Sequence, residues 1–467
     1  MRKFLYFILI ISLSACAEFQ DHPLNAADST LSIENRCLTN LQLKQFIASV
    51  LAQEIGWPLP VWDLDNLSLA ALYFHPDMAL AQAIAETADA ANITAAQRPN
   101  PTLNATPSYL THLATAVAPW YAVSSLNIPI ETAGKRGFRM DKAQQLSAAA
   151  RLRIADAAWA VRGRLRLAWL EAFAAQEVER LAQQQLGLQQ AMATRLEQQL
   201  AAGEISRQDL LRLQLLLSQA QLNENTAQKR RAESRVQLAT ALGLPVDALK
   251  EVALDFNRLT QAPALDSIPV SKLREIALRQ RPDVLAALAD YAAAQAALQL
   301  EIANQYPNIQ ANPGYAWELG ENLWSLGASV QLPVFHQNQG LIAEAEAKRR
   351  ELAVRFTALQ SKIIGDIDRA HAGVAAVLAK QQHTEQQKSL QQQNLWFAQA
   401  QFNAGEIDHL ALLTAEMEAV IAERTRLDVS LETQQTLNTL EDSLRTPINS
   451  AFNMSLIDNS AARNNLQ

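Results

Sequence analysis

The groups in this 467-residue chain that could bind a metal or move a proton are its seven histidines, 47 acidic residues and two cysteines. From His22 to His409 the histidines form no i, i+4 pair and no Glu-x-x-His cluster, so no zinc-type ligand set is spelled out. There is no glycine-rich loop of the kind that cradles phosphate and no Gly-x-Ser-x-Gly elbow. The chain does not read as an enzyme, and no cofactor or metal site is expected. The residues left with chemistry to offer are Cys16 and a few carboxylates. The carboxylates are grouped at two places, Gly203-Glu204-Ile205-Ser206 with Asp209, and Gly405-Glu406-Ile407-Asp408.

Cys16 sits at the end of a targeting segment. Arg2-Lys3 supplies the positive start and Phe4 to Leu13 an apolar run too short to span a bilayer as a helix. The ending Leu13-Ser14-Ala15-Cys16 resembles a bacterial lipobox, which makes residues 1–15 a signal peptide and Cys16 the acylated first residue of the mature chain. The other reading is an ordinary cleavable signal with Cys16 incidental. By the same resemblance, Ala17 in place of Asp favours the outer membrane. Cys37 then has no thiol partner within the chain and is expected to be free and partly buried.

A net charge of −7, with Lys and Arg scattered along helical stretches, excludes nucleic acid as a partner. Hydrophobic residues make up 49% but aromatics only 6%, so Ala and Leu must do the packing, as in long helices at close contact. The stronger signal is duplication. Pro129 to Pro245 is free of proline, and so is Pro333 to Pro447. His75-Pro76-Asp77 is echoed by Arg281-Pro282-Asp283, and Asn100-Pro101-Thr102-Leu103 by Tyr306-Pro307-Asn308-Ile309. The alternation ending in Pro129 is echoed at Pro333, and Ala202-Gly203-Glu204-Ile205 by Ala404-Gly405-Glu406-Ile407. These landmarks keep one order at offsets of 202 to 206 residues, which is a repeated unit.

The boundaries read as an irregular N-terminal segment at 16–69, a first repeat at 70–242, a linker at 243–275, a second repeat at 276–446 and a disordered tail at 447–467. Within the first repeat, a helix from Pro76 to about Gln97 precedes strands at about 102–112 and 120–130. A long helix follows from Glu131 to about Ala202. Its Ile154, Ala158, Val161, Leu165, Ala168 and Ala172 make a coiled-coil seam of small and branched residues. At 1.5 Å per residue it would be roughly 108 Å long. A returning helix runs from beyond Gly203 to Leu242, where Gly243-Leu244-Pro245 stops it. The two shorter helices, laid end to end, match the long one.

The strands of the second repeat alternate an apolar, aromatic face (Ile309, Ala311, Tyr315, Trp317, then Trp324, Leu326, Ala328, Val330) with a small polar one. Period 2 also suits a soluble sheet, but the scarcity of charge and the aromatics near strand ends favour a transmembrane barrel. Four strands per chain cannot close, and open edges are not tolerated in lipid. Eight strands would be filled by side chains, whereas twelve leave a lumen. A homotrimer is therefore the smallest assembly that gives a conduit, continued below the membrane by its helices. A periplasmic coiled-coil spacer lipoprotein is the rival reading.

These features resemble the TolC-type outer-membrane efflux factors over nearly the whole mature length. Ile130-Glu131-Thr132-Ala133-Gly134-Lys135-Arg136-Gly137, Leu332 to Gly340 and Leu69 to Asp77 are similar to segments of the CzcC-like heavy-metal group within them. The resemblance implies a mainly α fold with a small β part: a trimeric 12-stranded β-barrel continued by a periplasmic α-helical barrel. It implies the exit duct of a tripartite pump, with a periplasmic adaptor and an inner-membrane RND-type pump as partners and heavy-metal cations as cargo. A duct for drugs or secreted peptides is the alternative within the class. It also makes Gly203, Glu204, Ile205, Ser206, Gly405, Glu406, Ile407 and Asp408 adaptor-docking tips. Asp209, Asp408 and Leu410 become candidates for a pore gate, although the second copy has Ala411 where the first has Asp209.

Overall fold

The computed structural model describes residues 19–111, 119–257, 269–318 and 320–448. The signal segment, Cys16 and residues 449–467 of the tail lie outside these. Two units of strand pair and helices follow one another, preceded by three short helices α1 (Ala26–Glu34), α2 (Leu41–Leu51) and α3 (Leu64–Phe74). The first unit is α4 (Pro76–Ala96), β1 (Thr102–Tyr109), β2 (Trp120–Ile130), α5 (Lys135–Ala201) and α6 (Arg207–Leu242). After a 3₁₀ turn at Val246–Leu249 and α7 (Val270–Gln280), the second unit is α8 (Pro282–Ala303), β3 (Ile309–Glu318), β4 (Glu321–Val330), α9 (Gln339–Asn403) and α10 (His409–Leu444).

The N-terminal segment is not irregular as expected. Its helices are too short for the hydrophobic period to show, but each has a side-chain cap that the sequence offers: Asn25, Asn40 and Asp63 accept from the first-turn amides of α1, α2 and α3. Leu43, Ile47 and Leu67 are fully buried against α5 and α6, so this segment is part of the first unit's core. Arg36 fastens it there. Its guanidinium donates to the carbonyls of Phe74 (2.9 Å) and Gly243 (3.0 Å), the ends of α3 and α6. The linker also holds this region, because Trp62 forms a parallel bridge with Leu254.

The long helix α5 has 67 residues, roughly 100 Å of rise. Its expected seam is in place, with Ala158, Val161 and Leu165 fully buried. Both α4 and α6 pack along it, as the arithmetic of helix lengths required, and α8 and α10 of the second unit pack on it too. α9, with 65 residues, lies against α8 and α10. The two units are also joined by buried ions. Glu441 of α10 accepts from Arg162 (3.2 Å) and Arg166 of α5, and its other oxygen accepts from the Ile448 amide at 3.0 Å.

All four strands form one antiparallel sheet in the order β1-β2-β3-β4. The duplication extends to register. Leu103 pairs with Leu126 and Tyr109 with Trp120; moved on by 206 and 204 residues these become Ile309 with Val330 and Tyr315 with Trp324, which are pairs of the second hairpin. Even the ring contacts repeat, since Tyr109–Trp120 and Tyr315–Trp324 both have centroids 4.9 Å apart. β1 ends at Tyr109, three residues short of the expected 112. No described helix is long and apolar enough to cross a membrane.

Candidate functional site

The registers divide the sheet into two faces. Leu103, Tyr109, Trp120, Ile128, Ile130, Ile309, Trp324, Leu326 and Val330 share one face and all are exposed. An open apolar band of this size, on strands of 8 to 11 residues, is what a lipid-facing barrel surface carries. Its Tyr and Trp residues gather toward the hairpin tips. The opposite face carries Thr102, Asn104, Thr106, Ser108, Ser125, Asn127, Gln310, Asn312, Ser325 and Ser329, with Tyr121, Val123 and Leu323 as its large apolar members. Its described charges are Glu318 and Glu321, which pair across the β3–β4 turn. This face can stay hydrated without holding a fixed ligand.

Where the sheet meets the helices, the Gly-Lys-Arg motif does structural work that the sequence did not disclose. Gly134 caps α5 with φ +71°, and Lys135 behind it reaches the second unit, donating to the Tyr306 carbonyl (2.5 Å) and Asn308 Oδ1 (2.7 Å). Arg136 donates to the Ala96 carbonyl, and Arg139 to those of Ala95 and Gln97, so the open carbonyl end of α4 is satisfied by guanidinium groups. Glu131 holds Arg139 in position at 2.7 Å, and the same bond keeps its carboxyl below the usual range. In the second unit the αL cap is Asn338, whose amide donates to the Glu301 carbonyl.

At the far end, the two helix reversals are alike. Gly203 and Gly405 both adopt positive φ (+79° and +74°), and the next amides, of Glu204 and Glu406, return to the carbonyls of Gln199 and Gln401 at 2.9 Å. Ile205 is half-buried, and Ile407 packs with Leu412, Ala398 and Ala415. Glu204, Ser206, Glu406 and Asp408 stay exposed. The caps that follow differ. Ser206 and Asp209 form a reciprocal capping box, and the bonds from Ser206 hold the Asp209 carboxyl below its ordinary value. Asp408 caps α10 alone, accepting from the Ala411 amide at 2.8 Å. This accounts for Ala411 standing where Asp209 does: the second reversal needs one capping carboxylate. Leu410 is half-buried, while Leu412 and Leu413 are buried. Arg195 joins the two reversals by donating to His409 Nδ1 at 3.1 Å.

Among the described residues, no group of His, Cys, Asp or Glu is close enough to hold a metal ion.

Residues 273–444 match the family model described as outer membrane efflux protein. The chain is 27% identical over 333 residues to the cobalt-zinc-cadmium resistance protein CzcC of Cupriavidus metallidurans, spanning 68% of this chain and 76% of that one. It is 25% identical over 273 residues to the pyoverdine export outer membrane protein OpmQ of Pseudomonas putida, 56% of this chain and 57% of that one. In fold it matches the Campylobacter jejuni CmeC outer membrane channel with a TM-score of 0.68 at 14% identity, covering 95% and 98% of the two chains.

Proposed function

We propose that the chain, whose residues 273–444 match the outer membrane efflux protein model, is a member of that family and the exit duct of a tripartite RND-type pump for heavy-metal cations. Membership sets it among channels rather than enzymes. The observation that carries the reading is the four-stranded sheet, with one exposed apolar face, one polar face and two open edges, set on helix pairs roughly 100 Å long. Three copies close the sheet at twelve strands with the polar face inward, and the helices continue it as a tube into the periplasm. Cys16 anchors each copy by acylation. The reversals at Gly203–Ser206 and Gly405–Asp408 are the tips on which the periplasmic adaptor docks, and the helices beyond them, with Asp209, Asp408 and Leu410, line the gate. Selection among ions belongs to the inner-membrane pump, since a duct that bound its cargo tightly would retain it.

Heavy metals are the favoured cargo because the similarity to CzcC is longer than that to OpmQ. The OpmQ similarity supports the second reading, a duct for organic compounds. Intracellular accumulation in a deletion strain separates them. Retention of one or a few of cobalt, zinc, cadmium, nickel, copper and silver is the expected result. Retention of a dye and a detergent alone would keep the duct and reject the metal. In the same assay, Gly405→Pro is expected to restore no export while still assembling, because the αL turn is lost and the tip is reshaped. Normal export by that variant would reject the docking tip.

A further inference from the structure

We propose that the open edges β4 and β1 of neighbouring copies pair in a register that is written inside the chain, with Ser329 opposite Ser108. This rests on the trimer reading above and adds to it the residue-by-residue alignment of the seam. The β2–β3 ladder is the joint between consecutive units within one chain. A closed ring of six units needs that same joint again where the second unit of one copy meets the first unit of the next. The hairpin registers coincide under offsets of 204 (β2 to β4) and 206 (β1 to β3), as Leu103–Leu126 and Ile309–Val330 illustrate. The β2–β3 register can therefore be carried to the seam. Ser124–Tyr315 becomes Ala328 opposite Tyr109, Ser125–Gly314 becomes Ser329 opposite Ser108, and Ile128–Ala311 becomes Leu332 opposite Ala105. Faces are preserved: Ala328 and Tyr109 are both on the apolar side, Ser329 and Ser108 both on the polar side. A one-residue slip would bring apolar side chains to the polar face.

The chain end of β4 gives independent support. β2 continues to Ile130 because β3 lies beside it, whereas β4 stops at Val330, and the counterpart residues 331–334 have no strand partner. There the Val334 amide turns back to the Leu332 carbonyl at 2.9 Å, and Leu332 and Val334 are 69% and 72% exposed. Carried over, Ile130–Ile309 becomes Val334 opposite Leu103, so the seam extends β4 by four residues and gives these side chains neighbours.

The joint is copied without its clamp. Lys135, which ties α5 to the Tyr306 carbonyl across the internal joint, has Gln339 as its counterpart. The seam lacks that charged tie, and the sheet register must align it.

The test is oxidative cross-linking of the full-length protein in outer membranes, with Cys37→Ser as background. A variant with Ser108→Cys and Ser329→Cys is compared with Thr106→Cys/Ser329→Cys and Leu110→Cys/Ser329→Cys. Directly opposed residues lie within disulfide reach, while a two-residue shift moves the Cα atoms to about 7–8 Å. The expected result is a ladder ending at a covalent trimer, formed at least several-fold faster by the 108/329 pair. Faster linkage of a shifted pair would overturn the register. A trimer by sedimentation in which no pair cross-links would overturn the seam and leave the trimer standing. A monomer by sedimentation would overturn the seam together with the trimer reading.

Discussion

Replacing Glu441 by alanine is expected to lower the stability of the folded chain by about 3–5 kcal/mol, because it takes the main counter-charge away from two buried guanidinium groups. Arg162 and Glu441 are each 1% exposed and Arg166 is 5% exposed. Burial pushes the Arg166 pKa down from the ordinary guanidinium value, and the charge of Glu441 is the main force opposing it. The neighbouring carboxylate gives the contrast. Burial raises the Asp442 pKa above the ordinary carboxylate value, against the pull of Arg445 and Arg162. Its folded form therefore binds a proton more readily than its unfolded form, so its ionisation opposes folding, and stability from this group rises as pH falls through the folded pKa. Asp442→Asn is expected to be neutral or stabilising at pH 7 and to remove that part of the acid-side dependence. Guanidinium unfolding midpoints of the two variants decide it. Equal losses from both would contradict this account of the joint.

Gly243→Ala is expected to be the most damaging of the glycine substitutions. Gly243 ends α6 at φ +73°, and an added Cβ would stand 2.7 Å from the Phe74 carbonyl oxygen and 2.9 Å from the Cα of His75. Both are backbone atoms at the α3–α4 corner, clamped by Arg36, and neither can turn aside. Strain of about 1–3 kcal/mol for the left-handed conformation is joined here by a collision that must part α6 from α3. Gly203→Ala and Gly405→Ala carry only that strain of about 1–3 kcal/mol, since nothing lies within 4 Å of either position. Thermal unfolding should therefore rank the Gly243 variant well below the two tip variants. A ranking in which all three coincide would mean that the corner yields more easily than its contacts imply.

The parts of the fold legible in the sequence are those governed by period and by punctuation. Pro76 and Pro282 open helices at their first turn, glycines with positive φ end them, and the alternation in β3 and β4 announces the two faces. Repeat offsets read from prolines and glycines carry through to the hydrogen-bond register. What stayed hidden depends on partners far along the chain. Arg162 and Glu441 are 279 residues apart, and each, seen alone on a helix, looks like a solvated charge. Lys135 and Arg139 likewise look like a basic helix start, though Arg139 caps α4 and Lys135 holds the α8–β3 connection at Tyr306 and Asn308, partners the sequence places but does not orient. Asp209 shows the converse case. The family resemblance made it a gate candidate, and the geometry adds a local task, the capping box with Ser206. The short N-terminal helices escaped because helices of 9 to 11 residues offer too few turns for a period to emerge.

The most direct test of the central claim is single-channel recording from the purified full-length protein in planar lipid bilayers. The expected result is stepwise conductance, small at rest and increased when Asp209 and Asp408 are both replaced by alanine, because the caps of both reversals and the carboxylates of the proposed gate are removed together. Trimers that insert into the bilayer yet pass no current in either form would contradict it, and would leave the helices as a spacer rather than the wall of a duct.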